Sequence, residues 1–466
     1  MEKMHIKLPW FIITGILFSL LSSLRVPFLP EAQVFTLFVS FLFGAKFRAY
    51  SLAILVCILC THHYVIPDVL YRLDSTEYPS IYTRSYGGVK ILDLLTIILF
   101  LVSLPNIYSL KKIFLSRRAP LILIFLSFVG LLSVPFEQQA FGNYLFVLRS
   151  FILTLAIYML FSKIDIVDIQ KLSFLAIFCW VSKMFFSILI PHENPMYREI
   201  FGIQWNIYFA GDEYLTLGIF SSTIIYLTHK KYSGVKPIPL NLIWPKVKIL
   251  LFTALVLALV AQRKGAIPYF AIVFFVFYIE KKFINSSNHL IFNAAILSTN
   301  WMTTIFLLAI APLLPEIYQL LFFENSNLLD ASLSSMRYLA ATDPIHFTFG
   351  LGPAGLYEIK DLLPINDHQT SFGNEVGNTF RYQVWSLPYG RLILNTGVVG
   401  FITYNLYMLS LLRARISIYY LYSSIFTIFY FTNFTPPMAF AFGIAFAAIY
   451  TTPKKDIAML SNHVRI

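Results

Sequence analysis

The sequence predicts an all-helical protein that crosses a membrane many times. Of its 466 residues, 58% are hydrophobic and 12% are charged, and the mean hydropathy is +0.71. An ordinary soluble protein carries about 25% charged residues. The composition therefore excludes a water-soluble globular enzyme and a disordered scaffold. Helices are the expected spans because lipid offers no partner to unpaired backbone groups.

Apolar runs near the spanning length of about 20 residues recur along the whole chain. We predict fourteen spans, with a range of eleven to fourteen because three of the runs are short. The predicted spans are 9–24, 28–45, 49–67, 91–109, 120–136, 143–161, 172–191, 213–228, 249–262, 266–279, 290–311, 389–411, 416–432 and 438–451. Helices 1–11 thus occupy residues 1–311, a long loop follows at 312–388, and helices 12–14 with a tail complete residues 389–466.

The charges of the connecting segments predict the orientation. Most of the 35 basic residues lie in alternate loops that contain few of the acidic ones, and such loops stay in the cytoplasm. Both termini are then cytoplasmic, and the loops at 68–90, 192–212 and 312–388 are outside. A segment as long as 312–388 rarely lacks structure. Its apolar patches, 317–323 and 382–385, predict short helices on the outer surface.

The cytoplasmic side is rich in Lys, whereas the outer side is rich in Arg. The outer arginines are Arg25, Arg72, Arg84, Arg149, Arg198, Arg263, Arg337, Arg381 and Arg391. A guanidinium group binds phosphate oxygens in a bidentate manner and tolerates partial desolvation. This bias favours a phosphorylated ligand on the outer side, and the alternative is a chance bias in a small set of residues.

Two segments supply candidate anion ligands. Arg263 and Lys264 occupy a tight turn between two spans, where charges are costly to dehydrate unless an anion joins them. We expect a phosphate clamp there, the alternative being a pair that extends toward the interface. Arg149 and Lys183 each lie inside an apolar span. A charge at that depth is a functional-site hypothesis by default.

The long loop contains the candidate catalytic residues. Arg337 is a candidate anion ligand, and Gly350 and Gly352 permit tight turns or close approach to a ligand. A base beside guanidinium groups suits an anionic leaving group, and the alternative for each residue is a solvated position in a loop. The residues of this kind are His346, His368, Glu375, Arg381 and Arg391.

The cysteines and histidines do not predict a metal or a cofactor. Cys57 and Cys60 have the spacing CxxC but lie in an apolar run with no second pair nearby. Small apolar side chains of a helix are therefore favoured over a zinc or redox site. No cluster of His, Cys and Asp has the spacing of metal ligands, so we expect chemistry without a metal or cofactor.

The order of these motifs resembles the O-antigen polymerase and O-antigen ligase superfamily over about residues 140–450. The resemblance depends on Arg263-Lys-Gly, on Arg337 followed by Asp343-Pro and Phe349-Gly-Leu-Gly, and on Gly397-Val-Val-Gly400. It implies a membrane glycosyltransferase similar to the GT-C class that takes a saccharide from undecaprenyl diphosphate at the periplasmic face without a metal. Arg263, Arg337, Gly350 and Gly352 match the family's motif positions.

One departure separates the two branches of the superfamily. Ligases have a His-Asn pair about eleven residues before the position that matches Gly397, and here that place holds Ser386 and Leu387. The resemblance therefore favours a Wzy-type polymerase and leaves the base open among His346, His368 and Glu375. A ligase and a flippase or transporter for lipid-linked oligosaccharide are the alternatives.

The polymerase hypothesis also implies the surroundings of the protein. Its partners would be lipid-linked donor and acceptor glycans, membrane lipids, a chain-length regulator and a flippase, and no nucleic acid. Its location would be the inner membrane of a bacterium.

Overall fold

The computed structural model of the chain describes the helical parts most fully. The described residues are 6–44, 47–62, 80–87, 89–109, 138–190, 197–200, 203–206, 211–229, 237–260, 344–350, 357–359, 373–376, 379–382, 396–403 and 436–450, with the single positions 294, 298, 405, 406 and 409. This part is 85% helical. The predicted spans at 120–136, 266–279 and 416–432 lie outside the described residues, as do most of 290–311 and half of 389–411.

Apart from α9, which lies in the long loop, each described helix overlaps a predicted span. They are α1 (Leu8–Ser23), α2 (Leu29–Leu42), α3 (Arg48–Thr61), α4 (Ile91–Ser103), α5 (Gln138–Phe161), α6 (Ile166–Leu189), α7 (Gly211–His229), α8 (Leu240–Val260), α9 (Pro344–Phe349), α10 (396–403) and α11 (Pro436–Tyr450). A 3-10 helix at Leu104–Ser109 continues α4. Within the described part, three segments are long and apolar enough to cross a membrane: Ile91–Ser109, Ile166–Leu189 and Leu240–Val260.

Three helices begin five or more residues before their predicted apolar runs, and α5, which starts at Gln138, is one of them. Helix α6 starts at Ile166 because the side chain of Asp165 accepts a hydrogen bond from the amide of Val167 and so caps the first turn. Helix α8 starts at Leu240 and includes Pro245, Lys246 and Lys248, which interrupt the hydropathy without ending the helix. Helix α4 starts at Ile91, as predicted. The carboxylate of Asp93 accepts a hydrogen bond from the amide of Lys90 and so caps this start.

The chain divides into two compact units. Unit 1 comprises residues 1–113, 151–277 and 435–466, and unit 2 comprises 114–150 and 278–434. Unit 1 is arranged around α6, which packs against α1, α3, α7 and α8. Its core consists of apolar side chains with small residues at the closest crossings: a Cβ at Gly15 would lie 2.7 Å from the sulfur of Cys179. The cysteines Cys57, Cys60 and Cys179 are free and buried in these helices.

Polar contacts at the ends of the helices show their directions. The amide of Ile6 donates to Asp168 and its carbonyl accepts from Lys171, so α1 and α6 begin side by side. Gln170 contacts Thr228, near the end of α7, and Ile238, just before α8. Helices α1, α6 and α8 therefore begin at the end of unit 1 where α7 finishes.

Short strands correct the prediction of an all-helical chain. Among the described residues, β1 (Ser85–Tyr86) pairs with β2 (Val89–Lys90), and β3 (Tyr197–Ile200) pairs with β4 (Ile203–Asn206). In unit 2, β5 (Tyr357–Ile359), β6 (Gly373–Val376) and β7 (Thr379–Tyr382) form an antiparallel sheet of order β5-β7-β6. All three sheets fall in loops that were predicted to be outside the membrane.

The loop prediction was partly right. The long loop does contain a short helix, α9, although it lies at neither of the predicted patches. At the predicted helix 382–385, the first residue, Tyr382, ends strand β7. The reason is local: Thr379, Phe380 and Tyr382 favour strands, and the sequence Gly-Asn at 377–378 is typical of a two-residue hairpin loop. The apolar patch at 317–323 lies outside the described residues.

We expect crowding at two helix crossings to control the stability of unit 1. Gly443→Ala should destabilise the fold by about 1–3 kcal/mol, because the new Cβ would lie 2.6 Å from the Ile157 side chain and 2.9 Å from the Thr154 carbonyl. Thermal unfolding of the detergent-purified protein measures the effect. Gly15→Ala meets only the Cys179 sulfur at short range, so Cys179→Ala should rescue that variant. Failure of the rescue would contradict the packing.

Candidate functional site

The predicted site residues fall into three groups. Those outside the described residues are Arg263, Lys264, Arg337, Gly352, His368 and Arg391. The backbone is described for His346 in α9, Glu375 in β6 and Arg381 in β7. Arg149 and Gly350 are described in full, and both belong to unit 2. The convergence of the arginines on one ligand therefore stays a prediction.

Two of the motifs that carry the resemblance meet within unit 2. A Cβ at Gly397 would overlap the carbonyl of Thr348 and would lie 2.5 Å from the amide nitrogen of Phe349. Gly397 and Gly350 have φ angles of +69° and +85°, in the region that favours glycine. The start of α10 therefore lies directly on the end of α9, and close approach is the reason for glycine at 397.

The three-stranded sheet aligns charged residues of the long loop. Arg381, in the central strand β7, is directly opposite Glu358 of β5 and Asn374 of β6. Glu375, a candidate base, is opposite Phe380, the residue before Arg381. Glu375 and Arg381 are thus at neighbouring register positions, and neighbouring positions along a ladder alternate between the two faces of the sheet.

Arg149 lies within helix α5, and its side chain is 9% exposed. The next residue, Ser150, is fully buried. A cation at such a position is costly in an apolar surrounding and is seldom kept without a charged or polar partner. Arg149 also has an interaction partner within the chain, and its role in binding an anion stays a prediction.

Lys183 is the centre of a buried polar cluster in unit 1. Its ammonium group donates to the backbone carbonyl of His62 at 3.3 Å and lies 3.3 Å from the ring centroid of Trp180. His62 follows the last residue of α3. The partial negative charge of that helix end and the face of the indole ring both favour a cation. Lys183 therefore caps α3 from inside the bundle.

The ring of His62 extends this cluster to two more helices. Its Nε2 is hydrogen-bonded to Gln33 of α2, and its Nδ1 lies 3.5 Å from the hydroxyl of Ser22 in α1. Sequence analysis singled out Lys183 and missed His62, Gln33 and Ser22. The available signal was their place in the predicted topology, since all lie near the same ends of three adjacent spans.

The described residues do not form a recognisable metal centre. No group of three or more His, Cys, Asp or Glu side chains in this part of the chain could hold a metal ion. Among the described residues, Arg149 and Lys183 are buried cations.

Comparisons with protein-family models, with curated proteins and with solved structures give no match to this chain.

Gly397→Ala should disrupt the contact between α9 and α10. The new side chain would combine unfavourable backbone strain with overlap on Thr348. Limited proteolysis of the purified protein should then show faster cleavage near residues 344–350, together with a lower apparent Tm.

Gly44→Ala is the matched control for this experiment. Gly44 has a φ of +79°, but a Cβ there meets no atom within 4 Å. This variant should carry the backbone strain of about 1–2 kcal/mol alone. Equal effects of the two variants would argue against the close contact at Gly397.

Proposed function

We propose that the protein is a Wzy-type polysaccharide polymerase of a bacterial inner membrane. It would join oligosaccharide repeat units carried on undecaprenyl diphosphate at the periplasmic face. The observation that carries the proposal is the contact of Gly397 with Thr348 and Phe349. Two motifs that are nearly fifty residues apart, and that suggested the family by their order, form one local structure.

The charge distribution of unit 1 supports the proposed orientation. At the end where α1 and α6 begin lie Lys7, Lys163 and Lys171, and α8 begins there with Lys246 and Lys248. By the positive-inside rule this end faces the cytoplasm. The opposite end of unit 1, with Lys183, would then face the periplasm, where lipid-linked repeat units are polymerised.

The proposed chemistry needs two functions from the side chains. Guanidinium groups would hold the diphosphate of the donor and stabilise the charge that develops as the anomeric bond breaks. Arg263 and Arg337 have this role by the resemblance, and Arg149, Arg381, Arg391 and Lys264 are further candidates. A base, His346, His368 or Glu375, would accept the proton of the acceptor hydroxyl. One direct displacement would invert the anomeric carbon.

Loss of the arginines should stop polymerisation without stopping supply of the substrate. In cells, Arg263→Ala and Arg337→Ala should leave single repeats on the lipid and remove the ladder of longer chains. Arg149→Gln should lower polymer formation by about a hundredfold, since removing one group that stabilises developing charge costs about that much. Gel electrophoresis of the extracted glycans measures each outcome.

Arg48→Ala is the control for the loss of a positive charge. Arg48 is at the start of α3, the opposite end of that helix from His62, so its loss should leave the ladder intact. Normal ladders in the Arg263 and Arg337 variants would contradict the assignment. The purified protein, given a lipid-diphosphate repeat unit, should form the same ladder in vitro, whereas a ligase would leave the repeats unjoined.

A further inference from the structure

Exposed apolar side chains cover one surface of unit 1. On α4 they form a stripe of Leu94, Ile97 and Leu101, at the three- and four-residue spacing of one helix face. Phe35 and Phe38 continue the exposed surface on α2, which packs against α4. Exposed apolar side chains on neighbouring helices mark an interaction site, and their composition fits the acyl chains of a bilayer.

This surface has the length of a membrane core. Helix α4 has 13 residues and the 3-10 helix that follows has 6. At rises of about 1.5 Å and 2.0 Å per residue they extend about 31 Å, and the hydrocarbon core of a bilayer is about 30 Å thick. Tyr86 precedes the first end and is 50% exposed, while Tyr108 marks the second end and is 85% exposed. Tyrosines are enriched at both interfaces of a bilayer.

A compact cluster forms the Tyr86 end of the surface. We define the Arg84 cluster as Phe28, Glu31, Arg84 and Tyr86. The guanidinium carbon of Arg84 lies 5.9 Å from the ring centroid of Phe28 and 5.4 Å from that of Tyr86. Arg84 Nε donates to Glu31 and to the Tyr86 hydroxyl, both at 3.3 Å, and the Tyr86 hydroxyl itself donates to Glu31. These bonds order the guanidinium group between the two rings.

The cluster remains charged and accessible. The hydrogen bond that Arg84 donates to the Tyr86 hydroxyl and the nearby Glu31 carboxylate raise the pKa of Arg84 above its ordinary value. Phe28 is 63% exposed and has a φ of +63°, outside the usual range for a bulky residue. Backbone strain of this kind persists where the surrounding structure requires it. Here it turns a large apolar side chain outward beside a cation.

We propose that the Arg84 cluster lies in the headgroup layer of the bilayer and that Arg84 binds the phosphate of a phospholipid there. Three observations agree on this occupant: an ordered guanidinium group, exposed aromatic rings on both sides of it, and a position at one end of a 31 Å apolar surface, about the thickness of the membrane core. A phosphate offers the bidentate acceptor that a guanidinium group prefers. The inference does not depend on the proposed polymerase activity.

The depth of the cluster is tested with spin labels in the full-length protein in bilayers. Cys57, Cys60 and Cys179 are buried and free, so a label should react at an introduced cysteine. A label at Phe28→Cys should report the headgroup layer. A label at Phe35→Cys, seven residues or about 10 Å further along α2, should report the acyl region. Equal depths, or a fully aqueous environment at position 28, would overturn the proposal.

The phosphate contact is tested with phosphatidylglycerol as the probe. Arg84→Gln should reduce the phosphatidylglycerol retained in native mass spectrometry by about fivefold, the usual effect of one cation near an anionic surface. Lys171→Gln removes the same charge near the start of α6, at the opposite end of unit 1 from the Arg84 cluster. It should change retention little, because the Lys171 ammonium group is held by the Ile6 carbonyl and Asp168. Equal losses in both variants would overturn the proposal. So would an Arg84-dependent preference for undecaprenyl diphosphate over phosphatidylglycerol, which would assign the cluster to the substrate.

Discussion

The packing of α6 against its neighbours is the constraint on which unit 1 depends. Helices in a membrane gain little from the hydrophobic effect among themselves, because lipid tails are as apolar as leucine. Close van der Waals contact and polar bonds must then provide the specificity. Helix α6 has both: Cys179 faces Gly15 at the crossing with α1, while Asp168 and Lys171 at one end and Lys183 near the other fix its register. A slip of α6 by one turn would break all of these contacts together.

Most helices of the described part could be predicted from the sequence because long apolar runs occupy most of their length. The predicted run at 9–24 and helix Leu8–Ser23 agree within one residue. The predicted span at 49–67 likewise begins within one residue of the start of α3 at Arg48. The predicted start of a helix was wrong where polar residues form its first turns. Asp165, Asp168 and Lys171 lowered the hydropathy at the start of α6, but their side chains hold partners that allow the helix to begin there. Hydropathy measures transfer to lipid and does not detect such partners.

The site was harder to predict because its geometry depends on contacts between distant residues. Lys183 stood out as a charge in an apolar run, yet its acceptor, the carbonyl of His62, is 121 residues away in sequence. The sheet of the long loop shows the same limit. Gly-Asn at 377–378 and the strand-forming residues after it carried a hairpin signal, but the pairing of Arg381 with Glu358 is set by a third strand from elsewhere in the loop. Residue type indicated which groups could act, and the fold decided which of them are neighbours.

Lys183 and Arg84 show two ways in which one protein keeps a cation near apolar surroundings. Lys183 is fully buried, and its charge is matched by a helix end and an indole ring, so the fold itself accounts for it. Arg84 has a carboxylate partner and two aromatic neighbours, yet it remains partly exposed at the edge of an apolar surface. An ammonium group is a compact charge suited to capping a single carbonyl, whereas a planar guanidinium group can stack on rings and still present donors to a phosphate. The excess of arginine over lysine on the predicted outer side has the same explanation if the ligands there are phosphate groups, whether of bilayer lipids or of a lipid-linked glycan.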